Sequence, residues 1–228
     1  MDVTTKSSAV MLAKASEDDL AKINSIALEP LTAEQVFVFK VNACDDQVDR
    51  DFEQFTPSTL RQLAKLFVGK TVIFDHEWSA RKQTARIYAA SVKQEDGIQR
   101  LQMRCYMMQN EQTQPTIDAI KGGILREVSV GCAVAKRTCS ICGGEYRSCG
   151  HKRGEKYGGV MCSVLLEEAV DAYELSFVAV PAQSGAGVTK NAGVQLLKTD
   201  AQQEAAQKHR NHQTQRAKAK LQMYQKFI

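Results

Sequence analysis

Residues 122–134 read GGILREVSVGCAV. Apolar Leu125, Val128 and Val130 stand beside small or polar neighbours, a spacing that predicts a strand after a glycine turn. Ser129 lies in its middle, with Gly131 two residues on. A hydroxyl on a rigid strand has a fixed position, and a neighbouring glycine leaves room for close approach. Such a serine becomes a nucleophile only with a base in hydrogen-bond reach. The chain holds four histidines, and the first, His76, ends the apolar run TVIFDH. Ser129 and His76 are the pair around which the sequence is read.

Working outward, Thr56-Pro57 reads as N-cap and first helical residue. Leu60, Leu63, Ala64 and Phe67 form an i, i+3, i+4, i+7 stripe, and Gly69 is the expected residue just past the helix. Strand 71–75 follows and delivers His76. Residues 84–94 and 98–108 are two strands joined at Asp96-Gly97, a hairpin signal. A short helix at 116–121 leads into the Ser129 strand. Upstream, Ser16 and Asp19 make a capping box for a helix presenting Leu20, Ile23 and Ala27, and 35–43, QVFVFKVNA, is a buried strand. Downstream, 161–170 and 173–181 read as two more strands. Strands and helices do not alternate regularly, so a doubly wound parallel sheet is excluded in favour of a mostly β architecture with peripheral helices (α+β).

The 228 residues suffice for one substantial core with an insertion and a tail. No apolar run is long enough to span a membrane, and the first residues lack the apolar core of a secretion signal. Residues 1–15 read as a flexible leader, 16–186 as the main domain, and 187–228 as a linker and basic helical tail. The net charge of +4 is mild. Part of it lies in Lys208, Arg210, Arg216, Lys218, Lys220 and Lys226, which follow the last acidic residue, Glu204. The domain itself is close to neutral, which argues against a nucleic-acid surface beyond weak binding by the tail.

Seven cysteines is an odd number, and four residues of one segment, Cys139, Cys142, Cys149 and His151, follow the pattern C-x2-C-x6-C-x-H. Thiolates and imidazole are the ligands of tetrahedral zinc, and Gly143-Gly144 supplies the turn that a C-x2-C pair needs. Segment 137–162 is therefore expected to be a zinc-knuckle insertion. Cys162 is an alternative ligand to His151. Four protein ligands leave no open position, so the expected Zn2+ is structural. Cys44, Cys105 and Cys132 read as buried apolar residues.

A serine–histidine pair needs a third group to hold the ring and stabilise the imidazolium. Glu174, heading the apolar run YELSFVAVPA, is one candidate, and Asp171 just before it is another.

Taken together, VDRDFEQFTPSTLRQLAKLFVGKTVIFDH (48–76), ILREVSVGCAV (124–134) and YELSFVAVPAQSGAG (173–187) resemble the tailed-phage prohead (capsid maturation) serine protease family. The resemblance runs from about Gln35 to Ala186. That family is similar in fold to herpesvirus assemblin. The resemblance implies a seven-stranded, largely antiparallel barrel of the herpesvirus-protease type, wrapped by helices. It puts the family's histidine on His76, its serine on Ser129, and the acid of its late E-x-S-x-V-x-x-P-A motif on Glu174. The herpesvirus enzymes use a second histidine as third member, and none stands in the late strand here. The cysteine insertion is not general to the family, although some members resemble this chain in carrying it. The implied function is a hydrolase of viral assembly, a serine endopeptidase inside the procapsid in the bacterial host cytoplasm. Its substrates would be scaffold or the scaffold-like region of the major capsid protein, and itself, with homo-oligomers also allowed. The alternative is a non-catalytic, zinc-stabilised capsid assembly, scaffolding or nucleic-acid-binding protein.

Overall fold

The computed structural model describes residues 14–189. The expected leader (except Lys14 and Ala15) and the basic tail lie outside the described residues. In chain order the elements are α1 (Glu17–Asn24), β1 (Val36–Asp45), β2 (Glu53–Phe55), α2 (Pro57–Leu66), β3 (Thr71–Phe74), β4 (Ala85–Glu95), β5 (Ile98–Met108), α3 (Gln114–Lys121), β6 (Val128–Cys139), β7 (Lys156–Tyr157), β8 (Val160–Met161), β9 (Val164–Phe177) and β10 (Gly187–Thr189). The fold is mostly β with few helices. None of the described helices is long and apolar enough to cross a membrane.

Local chemistry explains the boundaries. Ser16 and Asp19 close the predicted capping box on α1. Thr56 caps α2 through its side chain, with Pro57 at the first helical position. This helix ends on Phe67, two residues before Gly69, whose N–H instead donates to the Ile87 carbonyl on β4. Asp96 and Gly97 both take positive φ, at 53° and 80°. Two left-handed residues match the twist of the β4–β5 hairpin that they join.

The main sheet has eight strands in the order β10-β1-β5-β4-β3-β9-β2, with β6 beside β9. It is mixed. β9 pairs in parallel with β2 and β3 along one edge and antiparallel with β6 along the other. The continuous ladders therefore branch at β9 and do not close into the expected seven-stranded barrel. One isolated bridge, Glu127 to Gly187, joins the start of β6 to β10. β10 also corrects the domain boundary. Residues 187–189, expected to begin a linker, pair with Lys40–Asn42 of β1.

The sequence shows two strands at 161–170 and 173–181, where the structure has the single strand β9. Its polar middle, Glu167 to Asp171, hides its continuity. Register shifts between Gly131 and Cys132, and between Ala133 and Val134, leave Tyr173 and Val170 as extra residues on the β9 side. Such bulges bend a strand and re-aim its side chains without ending it.

Side-chain alternation sorts the sheet into two faces. Phe39, Val72, Val128, Leu175 and Phe177 face the main core, which α2 closes with Leu60, Leu63 and Phe67. On the other face, α1 covers Val36, Val38 and Tyr88 with Ile23. There, buried Asp19 accepts hydrogen bonds from Tyr88 Oη at 2.9 Å and Arg104 Nη2 at 2.8 Å. Glu174 and Ser176 alternate with Leu175 and Phe177, so they lie on the sheet's non-core face.

Candidate active site and metal cluster

β3 and β9 run parallel, with Thr71 opposite Glu174 and Phe74 opposite Phe177. The chain leaves β3 through Asp75 and His76, both at positive φ, 51° and 56°. The left-handed region is uncommon for residues with a β-carbon, although Asp and His are among those enriched there. Two such residues in succession turn the chain sharply at the strand end. The turn is pinned to β9, since Asp75 N donates to Phe177 O at 2.9 Å and His76 N to Ser176 Oγ at 3.0 Å.

The turned imidazole meets Glu174. His76 Nδ1 and Glu174 Oε1 are 2.7 Å apart, and the carboxylate's other oxygen accepts from Ser176 Oγ, also at 2.7 Å. Glu174 is 2% exposed and Ser176 is fully buried, whereas the His76 side chain is 43% exposed. The pair therefore has a buried acid and a solvent-facing ring, the arrangement a base needs to reach a substrate. Asp171, the other candidate acid, is paired elsewhere. It forms an ion pair with Lys70 at 3.2 Å, and the hydrogen bond from that ammonium holds its carboxyl below the usual range.

Ser129 stands across from Ser176 in the β6–β9 ladder, and Gly131 stands across from Glu174. By alternation Ser129 shares the non-core face with Glu174 and Ser176. Among the described residues no hydrogen bond joins Ser129 Oγ to the His76 ring. Catalytic hydrogen bonds are often long in free enzymes and tighten with substrate. Comparison with protein-family models, with curated proteins and with solved structures found no match.

Two residues of this site escape a reading by sequence. Ser176 joins the acid to the histidine's backbone, and only the E-x-S spacing on a strand hints at a shared face. Gly131, read as leaving room for close approach beside Ser129, makes room for the Glu174 carboxylate. A β-carbon at 131 would lie 3.1 Å from Glu174 Cδ and collide with Oε1.

A cavity of about 460 Å3 adjoins the carboxylate, walled by Trp78, Tyr173, Ile73, Lys70 and Arg86. Trp78 and Tyr173 stack at a tilt with ring centroids 5.3 Å apart. Tyr173 is the extra residue of one β9 bulge, which turns it and Glu174 toward the same cavity.

At the far end of β6 lies the cysteine cluster. Donor atoms of Cys139, Cys142, Cys149 and His151 all lie within 4.8 Å of one another, so this Cys3His set can hold a metal ion. A tight turn joins the C-x2-C pair. Gly143 N donates to Cys139 O, and Cys139 N to Gly144 O, both at 2.9 Å. Among the described residues His151 Nδ1 is buried without a hydrogen-bond partner, a costly state that a cation would relieve. Burial raises the Cys139 thiol, yet hydrogen bonds from the backbone of Cys142 and Ile141 bring it down to about 6. Cys162 is fully buried with Sγ 3.8 Å from Cys139 Sγ, and burial and that neighbour push it up to about 11. Hydrogen bonds from Ser140 N to Ser163 O and from Ser163 N to Ser140 Oγ tie the insertion's two ends together.

Proposed function

We propose that this protein is a serine endopeptidase of the phage prohead-maturation type. The observation that carries the reading is the 2.7 Å contact between His76 and buried Glu174, on the sheet face that also bears Ser129. In this reading His76 takes the Ser129 proton as the hydroxyl attacks a scissile carbonyl, and returns it to the leaving amine. Glu174 holds the ring and stabilises the imidazolium. The substrates are scaffold or the scaffold-like region of the major capsid protein, and the chain itself, inside a procapsid assembling in the bacterial host cytoplasm.

The same reading takes the sheet as a rolled barrel of the herpesvirus-protease type. The Glu127–Gly187 bridge and the Val188 N–H to Arg126 O bond of 2.7 Å support this, because they link the β6 side to β10. Cys139, Cys142, Cys149 and His151 hold a structural Zn2+. The donor chemistry supports zinc, and a full set of four leaves no position for substrate or water.

Co-expression with the capsid and scaffold proteins, comparing wild type with Ser129→Ala by mass spectrometry, tests the function. Cuts that depend on Ser129 are expected. Normal processing by Ser129→Ala would end the proposal.

A further inference from the structure

We propose that Ser176 is a positioning residue that fixes both halves of the His76–Glu174 pair. The inference rests on the peptidase reading of this site. Its observation is a double contact made by one buried hydroxyl. Ser176 Oγ donates to Glu174 Oε2 at 2.7 Å and accepts from His76 N at 3.0 Å.

Each contact controls a different freedom. A glutamate carboxylate can rotate about its terminal bond, which is broad and two-fold rather than locked. With Oε2 held by Ser176, Oε1 is left facing His76 Nδ1. The second contact acts on the backbone. His76 has a φ of 56°, a conformation that neighbours must hold in place. An acceptor on its N–H fixes the point from which the ring projects. One atom therefore sets both the acid's rotation and the base's origin.

The carboxylate also depends on this donor for satisfaction. Among the described residues the Glu174 carboxylate meets His76 Nδ1 and Ser176 Oγ, while Lys70 pairs with Asp171. A nearly buried carboxylate needs its lone pairs filled. Ser176 is no rival nucleophile, because it is fully buried and its proton is given to Glu174.

The test uses the whole chain and a fluorophosphonate probe, which reports Ser129 activation without a known substrate. Ser176→Ala is expected to slow Ser129 labelling about 10- to 100-fold, the cost of a small misplacement. Its melting temperature should fall by less than about 10 °C. The far-downfield proton resonance of the His76 Nδ1–Glu174 hydrogen bond should disappear, which a merely structural role would leave alone. Ser176→Cys, a weaker donor of similar size, should fall between the two, and it carries the comparison if Ser176→Ala does not fold.

Labelling of Ser176→Ala at the wild-type rate overturns the proposal. Slow labelling with the resonance intact also overturns it, because Ser176 would then act elsewhere. If wild type itself is not labelled, the peptidase reading falls and the resonance alone decides the clamp. Its loss in Ser176→Ala upholds the clamp, and its persistence refutes it.

Discussion

Gly131 lies directly beneath the Glu174 carboxylate, paired with it across β6 and β9. The acid reaches His76 only because residue 131 has no side chain. Gly131→Ala should push Glu174 away from Nδ1 while the ladder still forms. Cleavage should drop about 10- to 100-fold with the far-ultraviolet circular dichroism unchanged. Wild-type turnover by this variant would show that the carboxylate is not needed where it lies.

The catalytic assignment makes a non-additive prediction. Ser129→Ala and His76→Ala should each abolish cleavage without unfolding the protein. The double variant should be no worse than either, because residues that act as a unit fail as a unit. Glu174→Gln should cause a smaller but clear loss. Asp171→Asn should leave activity intact, since Asp171 is occupied by Lys70. Kinetics on the five variants, with melting curves as controls, provide the check.

The cysteine cluster should hold one ion per chain. Purified without chelator, the protein should contain zinc at about one equivalent, and strong chelation should lower its melting temperature because site formation and local folding are one event. Cys142→Ser should do the same, with activity falling only as the fold loosens. Between the two candidates for the fourth position, His151 is the expected ligand, because its buried Nδ1 otherwise has no partner among the described residues. Cobalt substitution distinguishes them. A spectrum of three sulfurs and one nitrogen that changes with His151→Ala supports His151. A four-sulfur spectrum that changes with Cys162→Ser would reassign the site.

Asp19 anchors α1 to the sheet and has a pH signature. Burial opposes its ionisation, but hydrogen bonds from Ser16 and Tyr88 and the Arg104 charge outweigh it, so its carboxyl lies below the usual aspartate range. A depressed carboxyl contributes stability above its unfolded pKa and loses it as pH falls through the folded pKa. Asp19→Asn should therefore destabilise the protein at neutral pH by about 1–3 kcal/mol. The difference from wild type should shrink only as pH falls below the usual aspartate range and through the lowered folded pKa. Urea unfolding of both proteins across that range measures it, and a constant difference would contradict the assignment.

The sequence by itself determined the local features. Capping at Ser16 and Thr56, the Asp96-Gly97 hairpin and the C-x2-C knuckle each depend on residues a few positions apart, whose physics is complete within the segment. The strand character of the Ser129 run was legible for the same reason, through alternation. The tertiary structure decided what depends on pairing between distant strands. It joined 161–170 and 173–181 into β9, because bulges let one strand absorb a polar interruption. It made 187–189 a strand, because the ladder partner in β1 lies far back in the chain. It put Glu174 rather than Asp171 on His76, through a parallel β3–β9 register that no local pattern encodes. The roles of Gly131 and Ser176 were hidden likewise, since a glycine's missing side chain and a hydroxyl's two contacts acquire meaning only from the atoms that the fold places against them.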